Sequence, residues 1–203
     1  MGIYDKYVLP KLIHFVCGLK PNMRQREKVL PLAHGRVLEI GVGSGLNLAF
    51  YDARKVEHLF ALDPSAESWS IAEPSAHRMK FTVDFVEAPA ESIPLERASV
   101  DSIIVTYSLC TIPEVDQAVR EMHRVLRKGG ELIFCEHGLA PDQKVRNWQD
   151  RLNPFWRPMT GGCNLNRDIP SIISAGGFEI RRMETMYLPG PKPLTFKYWG
   201  VAH

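Results

Sequence analysis

Short apolar runs of strand length alternate with segments of helical periodicity along most of this chain. That alternation admits few folds other than parallel strands joined by crossover helices. Arg36–Ile40 (RVLEI) reads as a first strand ended by Gly41, and Leu46–Tyr51 continues it as a helix. His58–Leu62 (HLFAL) is a second strand, stopped by Asp63 and Pro64, with a helix over Glu67–Glu73. Lys80–Val86 alternates as a third strand, and Val100–Thr106 (VDSIIVT) is a fourth. Val115, Ala118, Val119, Met122, Val125 and Leu126 recur at three- and four-residue spacing, one face of a helix that Lys128-Gly129-Gly130 ends. Glu131–Cys135 (ELIFC) is a fifth strand, and Ile169–Ala175 a further helix. Phe178–Met186 and Thr195–Ala202 are the last two strands. The stiff linker between them, Pro189–Pro193, leaves no room for a helix, so these strands are antiparallel neighbours. The expected fold is α/β: a doubly wound, seven-stranded, mostly parallel sheet whose last strand is antiparallel. A length of 203 residues fits one domain over 1–203 and does not comfortably fit two.

Two segments stand outside the alternation. Residues 1–34 read as an N-terminal helical lid. Their apolar stretch Tyr7–Leu19 is broken by Pro10, Lys11 and His14, falls short of the about 20 apolar residues a bilayer span needs, and lacks a signal-peptide cleavage site. Residues 141–168 carry Trp148, Phe155, Trp156 and Met159 and follow the fifth strand. They therefore cover the carboxyl edge of the sheet, where ligands of open α/β sheets bind, and read as a substrate cap. Lys plus Arg total 25 against 23 for Asp plus Glu, so no basic face points to a nucleic-acid partner and a small-molecule substrate is expected. Cys17, Cys110, Cys135 and Cys163 form no CxxC pair, which fits reduced thiols in a cytoplasmic protein.

The most specific local motif is Glu39-Ile40-Gly41-Val42-Gly43-Ser44-Gly45, at the end of the first strand. Glycines there permit positive φ and let the backbone approach a ligand. A dinucleotide fingerprint wants Gly-x-Gly-x-x-Gly or Ala, whereas here the glycines alternate and Leu46 stands in the last position. Glu39 also brings a negative charge, which repels a pyrophosphate and tolerates an amino-acid ammonium. An NAD-dependent oxidoreductase is thus the weaker reading. Asp63 ends the second strand about 20 residues further on, placed to accept from ribose hydroxyls or to cap the next helix, and Pro64 turns the chain away.

Residues 36–135 resemble the class I S-adenosylmethionine-dependent methyltransferases, a Rossmann-like family. The matching pieces are VLEIGVGSG (37–45), ALDPS (61–65), AESIPLERASVD (90–101) and REMHRVLRKGGEL (120–132). The resemblance implies S-adenosyl-L-methionine as cofactor and S-adenosyl-L-homocysteine as product, with contacts at Glu39, Gly41, Val42, Gly43, Gly45, Asp63, Pro64 and Tyr107. It also implies that the Ala90-Glu91 turn lies beside the adenine. The family often carries an Asp just before the position of Ala90, and this chain has Pro89, which leaves Glu91 or the backbone for that contact. A narrower resemblance, to the methyltransferase-like 7 group of alkyl-thiol S-methyltransferases, rests on YSLCTI (107–112), FCEHG (134–138), NPFW (153–156) and GGCNLNRD (161–168). It implies a thiol or sulfide acceptor, with an amine (phosphatidylethanolamine included), a phenol or a quinone as the alternative. Animal members of that group have a membrane-anchoring N-terminal helix. The interrupted stretch here implies no stable insertion and at most weak surface contact, in a monomer or homodimer.

Methyl transfer from a sulfonium is an in-line displacement, so the protein's share is alignment and removal of water, and few side chains are required. A thiol acceptor must react as its thiolate. His137, just past the fifth strand, is the expected base, with Glu136 to orient it or to bind a substrate donor. Cys110, Trp148, Trp156, Cys163 and Asn164 are the expected substrate contacts, and Arg167 either holds an acidic group or pairs with Asp168. No metal is expected: Cys135, His137 and Cys163 are poorly spaced as ligands.

Overall fold

The computed structural model of the chain describes residues 9–203. Residues 1–8 of the expected lid, with Tyr7 and Val8 of its apolar stretch, lie outside the described residues. Seven strands form one sheet: β1 (Gly35–Ile40), β2 (Val56–Asp63), β3 (Thr82–Glu87), β4 (Val100–Thr106), β5 (Leu126–His137), β6 (Ile180–Tyr187) and β7 (Phe196–Ala202), in the order β3-β2-β1-β4-β5-β7-β6. The first five run parallel, and β7 pairs antiparallel with both β5 and β6. The chain moves outward from β1 to β3 and then returns to β4 on the other side of β1. The crevice at the carboxyl ends of β1 and β4 is therefore the switch point where such sheets bind ligands.

Both faces of the sheet are covered, and the period-two alternation of a strand divides its residues between two cores. Leu38, Ile40, Ile103, Val105, Leu132 and Phe134 pack on one side with Ala118, Val119, Met122 and Val125 of α4 (Val115–Val125). Val37, Leu59, Ile104 and Ile133 pack on the other, with Val29 of α2 (Lys20–Val29) and Ala72 of α3 (Ala66–Ala76). The face of α4 expected from its spacing is the face that is buried.

The structure corrects the expected elements in three places. No full helix follows β1, only one 3-10 turn over Leu48–Phe50. The ten residues between Gly45 and Val56 must also hold the turn in which Lys55 N–H bonds the Asp52 carbonyl, which leaves space for a single helical turn. The proline linker does contain a helical turn, α7 (Lys192–Thr195), because Pro193 at its start needs no N–H partner. Helix α4 ends at Val125 and β5 begins at Leu126, so Lys128-Gly129-Gly130 lie inside the strand instead of ending the helix. The cap is built on α5 (Gln143–Met159), which runs through Pro154 and Pro158 before the loop that leads to α6 (Ile169–Ala175).

Two devices hold the extra segments over the crevice. Gln149 of α5 is buried, and its amide donates to the carbonyls of Gly138 and Leu165, both at 2.9 Å, while its oxygen accepts from Ala140 N–H at 3.0 Å. That one side chain fastens the cap to the chain leaving β5. At the other side, α1 (Leu9–Cys17) brings His14 Nδ1 to 2.7 Å from Ser44 Oγ in the glycine turn. Among the described residues, no helix is long and apolar enough to cross a membrane.

Candidate active site

The glycine turn leaves β1 with Gly41, Gly43 and Gly45 all at positive φ, +70°, +51° and +74°. A Cβ on Gly41 would stand 2.4 Å from Ser108 Oγ, so the turn passes too close to the end of β4 for any side chain. Gly43 differs, since a Cβ there would meet nothing nearer than the Gly41 carbonyl at 4.0 Å. Its α-carbon faces open space that a ligand can use. Four of the turn's N–H groups are committed within the chain: Gly41 and Val42 donate to the Leu62 carbonyl, Gly43 to Asp63 Oδ2 at 2.9 Å, and Gly45 to the Val42 carbonyl. With those four engaged and no helix N-terminus behind it, this turn offers few of the donors that cradle a pyrophosphate elsewhere.

Asp63 joins the turn to α3: Oδ2 takes Gly43 N–H and Oδ1 takes Ser65 N–H, both at 2.9 Å. Burial pushes its carboxyl upward, and those two N–H groups oppose the push. The helix cap is Ser65, whose Oγ accepts from Ser68 N–H, so the capping alternative for Asp63 is replaced.

Beneath the turn lies a buried polar network. Glu39 accepts from Asn47 Nδ2 at 2.8 Å and from Tyr51 OH at 2.7 Å. Burial raises its carboxyl above the ordinary range, and those two bonds together with Arg26 pull it back. Arg26 of α2 is buried as well. Its Nη1 donates to Asn47 Oδ1 and to Thr106 Oγ1, and its guanidinium lies 5.0 Å from the Tyr107 ring centroid. Among the described residues, Arg26 Nε has no hydrogen-bond partner. Tyr107 itself sits at positive φ, +56°, with Lys197 on its ring at 4.7 Å. Above these groups opens a small cleft of about 70 Å³. Ile13, His14 and Cys17 line it from α1, with Arg26, Glu39, Gly41–Ser44, Leu46 and Asn47 and, from the end of β4, Thr106–Ser108. Gly45 is not in that lining; its Cβ position is closed by Ala72 at 2.7 Å, which makes it a packing residue of the turn.

The structure brings most of the expected acceptor residues together. His137 Nε2 is 3.1 Å from Cys163 Sγ, and Trp156 Nε1 donates to the same sulfur at 3.4 Å. Cys163 is drawn to low pKa first by the hydrogen bond from Cys110 and then by His137, while Cys110 is driven up by the same bond and by burial. Asn164 donates twice to the Cys110 carbonyl, from N–H and Nδ2, both at 2.9 Å. Glu136 leaves the strand on the face opposite His137 and does not orient it. Its Oε1 accepts from the N–H groups of Ser108 and Leu109, and its Oε2 is buried without a partner. Burial lifts that carboxyl to about 7 against the pull of the two N–H groups. Arg167 bonds the Leu109 carbonyl rather than Asp168, which caps α6. Trp148 is 55% exposed beside Arg151 and stands away from this group. Glu91 uses Oε1 on the N–H of Glu114, ahead of α4, while Ala90 is buried in the core beside it. Cys135 turns to Tyr107 OH and takes no part with His137.

Arg26, Asn47, Tyr51 and Thr106 were not found by sequence reasoning, although one signal existed. Arg26 shares a helix stripe with Val29 and Leu30, at i, i+3 and i+4, so a cation on the buried face of the lid was visible in the spacing.

A methyltransferase domain family model matches residues 38–134. Human thiol S-methyltransferase TMT1B is 31% identical over 179 residues, covering 86% of this chain and 72% of that protein. Human thiol S-methyltransferase TMT1A is 30% identical over 156 residues, covering 75% of this chain and 64% of that protein, so this chain spans slightly under two thirds of that relative. Among solved structures, an S-adenosylmethionine-dependent methyltransferase of Leishmania major superposes with a TM-score of 0.70 at 14% identity, over 98% of this chain and 80% of that one. The open Gly43 cradle and the Arg26 charge lining the cleft fit an amino-acid cofactor, and the four committed turn N–H groups do not suit the dinucleotide of an oxidoreductase. In sequence, in sheet order and in the make-up of its glycine turn, the chain belongs to the class I S-adenosylmethionine-dependent methyltransferases.

Proposed function

We propose that the chain transfers a methyl group from S-adenosylmethionine to a small-molecule thiol or sulfide. One observation carries the acceptor class: the polar side chains converging beside the cleft are two thiols and an imidazole, those of Cys110, Cys163 and His137. Tyr107 and Ser108 line the cleft and lead along the turn after β4 into Cys110, so that turn links the glycine turn to the sulfur group. The similarity to two human thiol S-methyltransferases supports the same reading.

The cofactor supplies a sulfonium methyl, and the chain positions both reactants and excludes water. Arg26 lines the cleft and supplies a positive charge for a carboxylate at its floor, and Glu39 supplies the negative charge that an ammonium meets. Asp63 keeps lone pairs for ribose hydroxyls, and Pro64, Ala90 and Glu91 stand on the adenine side. A free thiol is ionised to about one part in thirty at pH 7. The acceptor site must therefore favour the thiolate, and His137 with Trp156 does so for the sulfur already there.

A second reading has one observation behind it. The unpartnered Glu136 Oε2 is the kind of group that receives an amine, yet Glu136 is fully buried, so an amine reaches it only after rearrangement. A methyl-label transfer screen over thiols, amines and phenols decides between them. Label in thioether products is the expected result, and label confined to amines would overturn the thiol reading.

A further inference from the structure

Cys110 Sγ, His137 Nε2 and Cys163 Sγ all lie within 4.8 Å of one another. They arrive from three separate segments: the turn after β4, the last residue of β5, and the loop between α5 and α6. We infer that these three atoms hold one zinc ion and leave its fourth position for the sulfur of the methyl acceptor.

The donor set argues for zinc. Two thiolates and an imidazole suit a borderline-soft d¹⁰ ion, and three protein ligands with an open position are the pattern of zinc sites that do chemistry, whereas structural sites close the fourth place. With bonds of about 2.3 Å to sulfur and about 2.0 Å to nitrogen, a tetrahedral centre spaces its donors by about 3.5–3.8 Å. The observed set surrounds that spacing, since His137 Nε2 is 3.1 Å from Cys163 Sγ and no pair exceeds 4.8 Å. Side-chain shifts of about 1 Å complete the geometry. No carboxylate belongs to the set, because Glu136 spends an oxygen on the Ser108 and Leu109 N–H groups.

The surroundings are built to hold these donors still. Trp156 Nε1 donates to Cys163 Sγ, and both Asn164 donors grip the Cys110 carbonyl at 2.9 Å, which locks one cysteine loop to the other. Arg167 ties the same turn through the Leu109 carbonyl. Such outer contacts are what orient the ligands of a working metal site. Spacing along the chain concealed the set, because it pointed to Cys135 where the fold supplies Cys110.

The inference rests on the thiol reading above and says how that thiol is activated. Two thiolates balance the charge of the ion, and the acceptor thiol gives its proton to solvent as its sulfur takes the fourth position. A sulfur lone pair then forms the S–CH₃ bond. The C–S bond of the donor sulfonium breaks, and its electron pair stays on the donor sulfur. The acceptor's one negative charge cancels the sulfonium's positive charge, and the neutral thioether is a poor zinc ligand that departs.

The test uses the full chain, made metal-free and kept reduced with a phosphine, and titrated with zinc against a chromophoric chelator. One zinc per chain is expected, with at least tenfold weaker binding in Cys110→Ser, His137→Ala and Cys163→Ser. Calorimetric binding of S-adenosylhomocysteine by each variant shows that it is folded. Cobalt in place of zinc should give a thiolate charge-transfer band that changes when a thiol acceptor is added and not when an amine is added. A folded chain that binds no zinc overturns the inference. So does loss of zinc in Cys17→Ser, which would make a closed four-ligand site, or a cobalt band indifferent to thiols. Thiol methylation at full rate in the metal-free chain sinks the zinc and leaves the thiol reading standing. One bound zinc together with methylation of amines alone sinks the thiol reading and, with it, the role given to the fourth position.

Discussion

Replacing Asp63 by Asn tests the central structural claim about the cofactor side, that one carboxylate sets the glycine turn. Asp63 is 8% exposed and serves two backbone donors at once, Gly43 N–H on Oδ2 and Ser65 N–H on Oδ1. An amide retains one acceptor oxygen and must point its NH₂ at the other backbone N–H, so one charged hydrogen bond is lost and a donor is stranded. A hydrogen bond to a charged group contributes about 1.5–3 kcal/mol. Part of that is returned because the neutral side chain no longer bears the burial that raises Asp63. The net expectation is a loss of about 1–2 kcal/mol, or about 2–8 °C in Tm for a domain of this size. If ribose hydroxyls also donate to Asp63, S-adenosylhomocysteine affinity measured by calorimetry falls by a further factor of about 10–100. The pH dependence has a definite sign. A carboxyl raised in the folded state makes its most favourable contribution to stability below the unfolded value of 3.8, and that contribution is lost as pH rises through the higher folded value. Cofactor affinity runs the other way: it needs the carboxylate, and it declines as pH is lowered through the same range. The Asn variant shows neither slope. An unchanged affinity together with an unchanged pH profile would refute the assignment of Asp63 to the site.

Three further outcomes follow from the geometry. Gly43→Ala adds a methyl where nothing stands closer than 4.0 Å, so stability falls only by the about 1–2 kcal/mol of left-handed strain, while S-adenosylhomocysteine binding in the same preparation drops at least tenfold because the methyl fills the cradle. Gln149→Leu strands the Gly138 and Leu165 carbonyls and the Ala140 N–H. Melting should show a loss of about 2–4 kcal/mol, and amide exchange should quicken along α5 before the sheet. Trp148→Ala removes an exposed ring, and turnover should stay within twofold of the parent, whereas Trp156→Phe, which deletes the donor to Cys163, should slow it; equal effects would return Trp148 to the acceptor site.

What could be read from the amino-acid order was what short stretches of chain determine. The strands carry a period-two or continuously apolar pattern whichever neighbour they find, and α4 displays its buried face in four residues, Ala118, Val119, Met122 and Val125. The glycine turn is visible because only glycine takes three positive φ values within five residues. The helix expected at Leu46–Tyr51 failed for a reason that propensity does not contain. Asn47 and Tyr51 are held by the carboxylate of Glu39, and the chain must turn at Asp52 to reach β2.

The pairing of groups across the site was hidden for a different reason. Its contacts join residues far apart in the chain: Arg26 with Thr106, Asn47 with Thr106, Cys163 with His137. Each of these pairs is set by the order in which strands enter the sheet, and no local pattern encodes that order. His137 was legible as a strand-end imidazole and Cys110, Trp156, Cys163 and Asn164 as its company, but not which atom meets which, since its neighbours in sequence, Glu136 and Cys135, both turn to other groups. An in-line displacement adds to the difficulty, because alignment makes few demands on residue type and leaves no spaced motif. Carboxyl-edge loops that approach only in the folded sheet therefore decide which of the sulfur and imidazole groups meet, a pairing that no strand's own sequence contains.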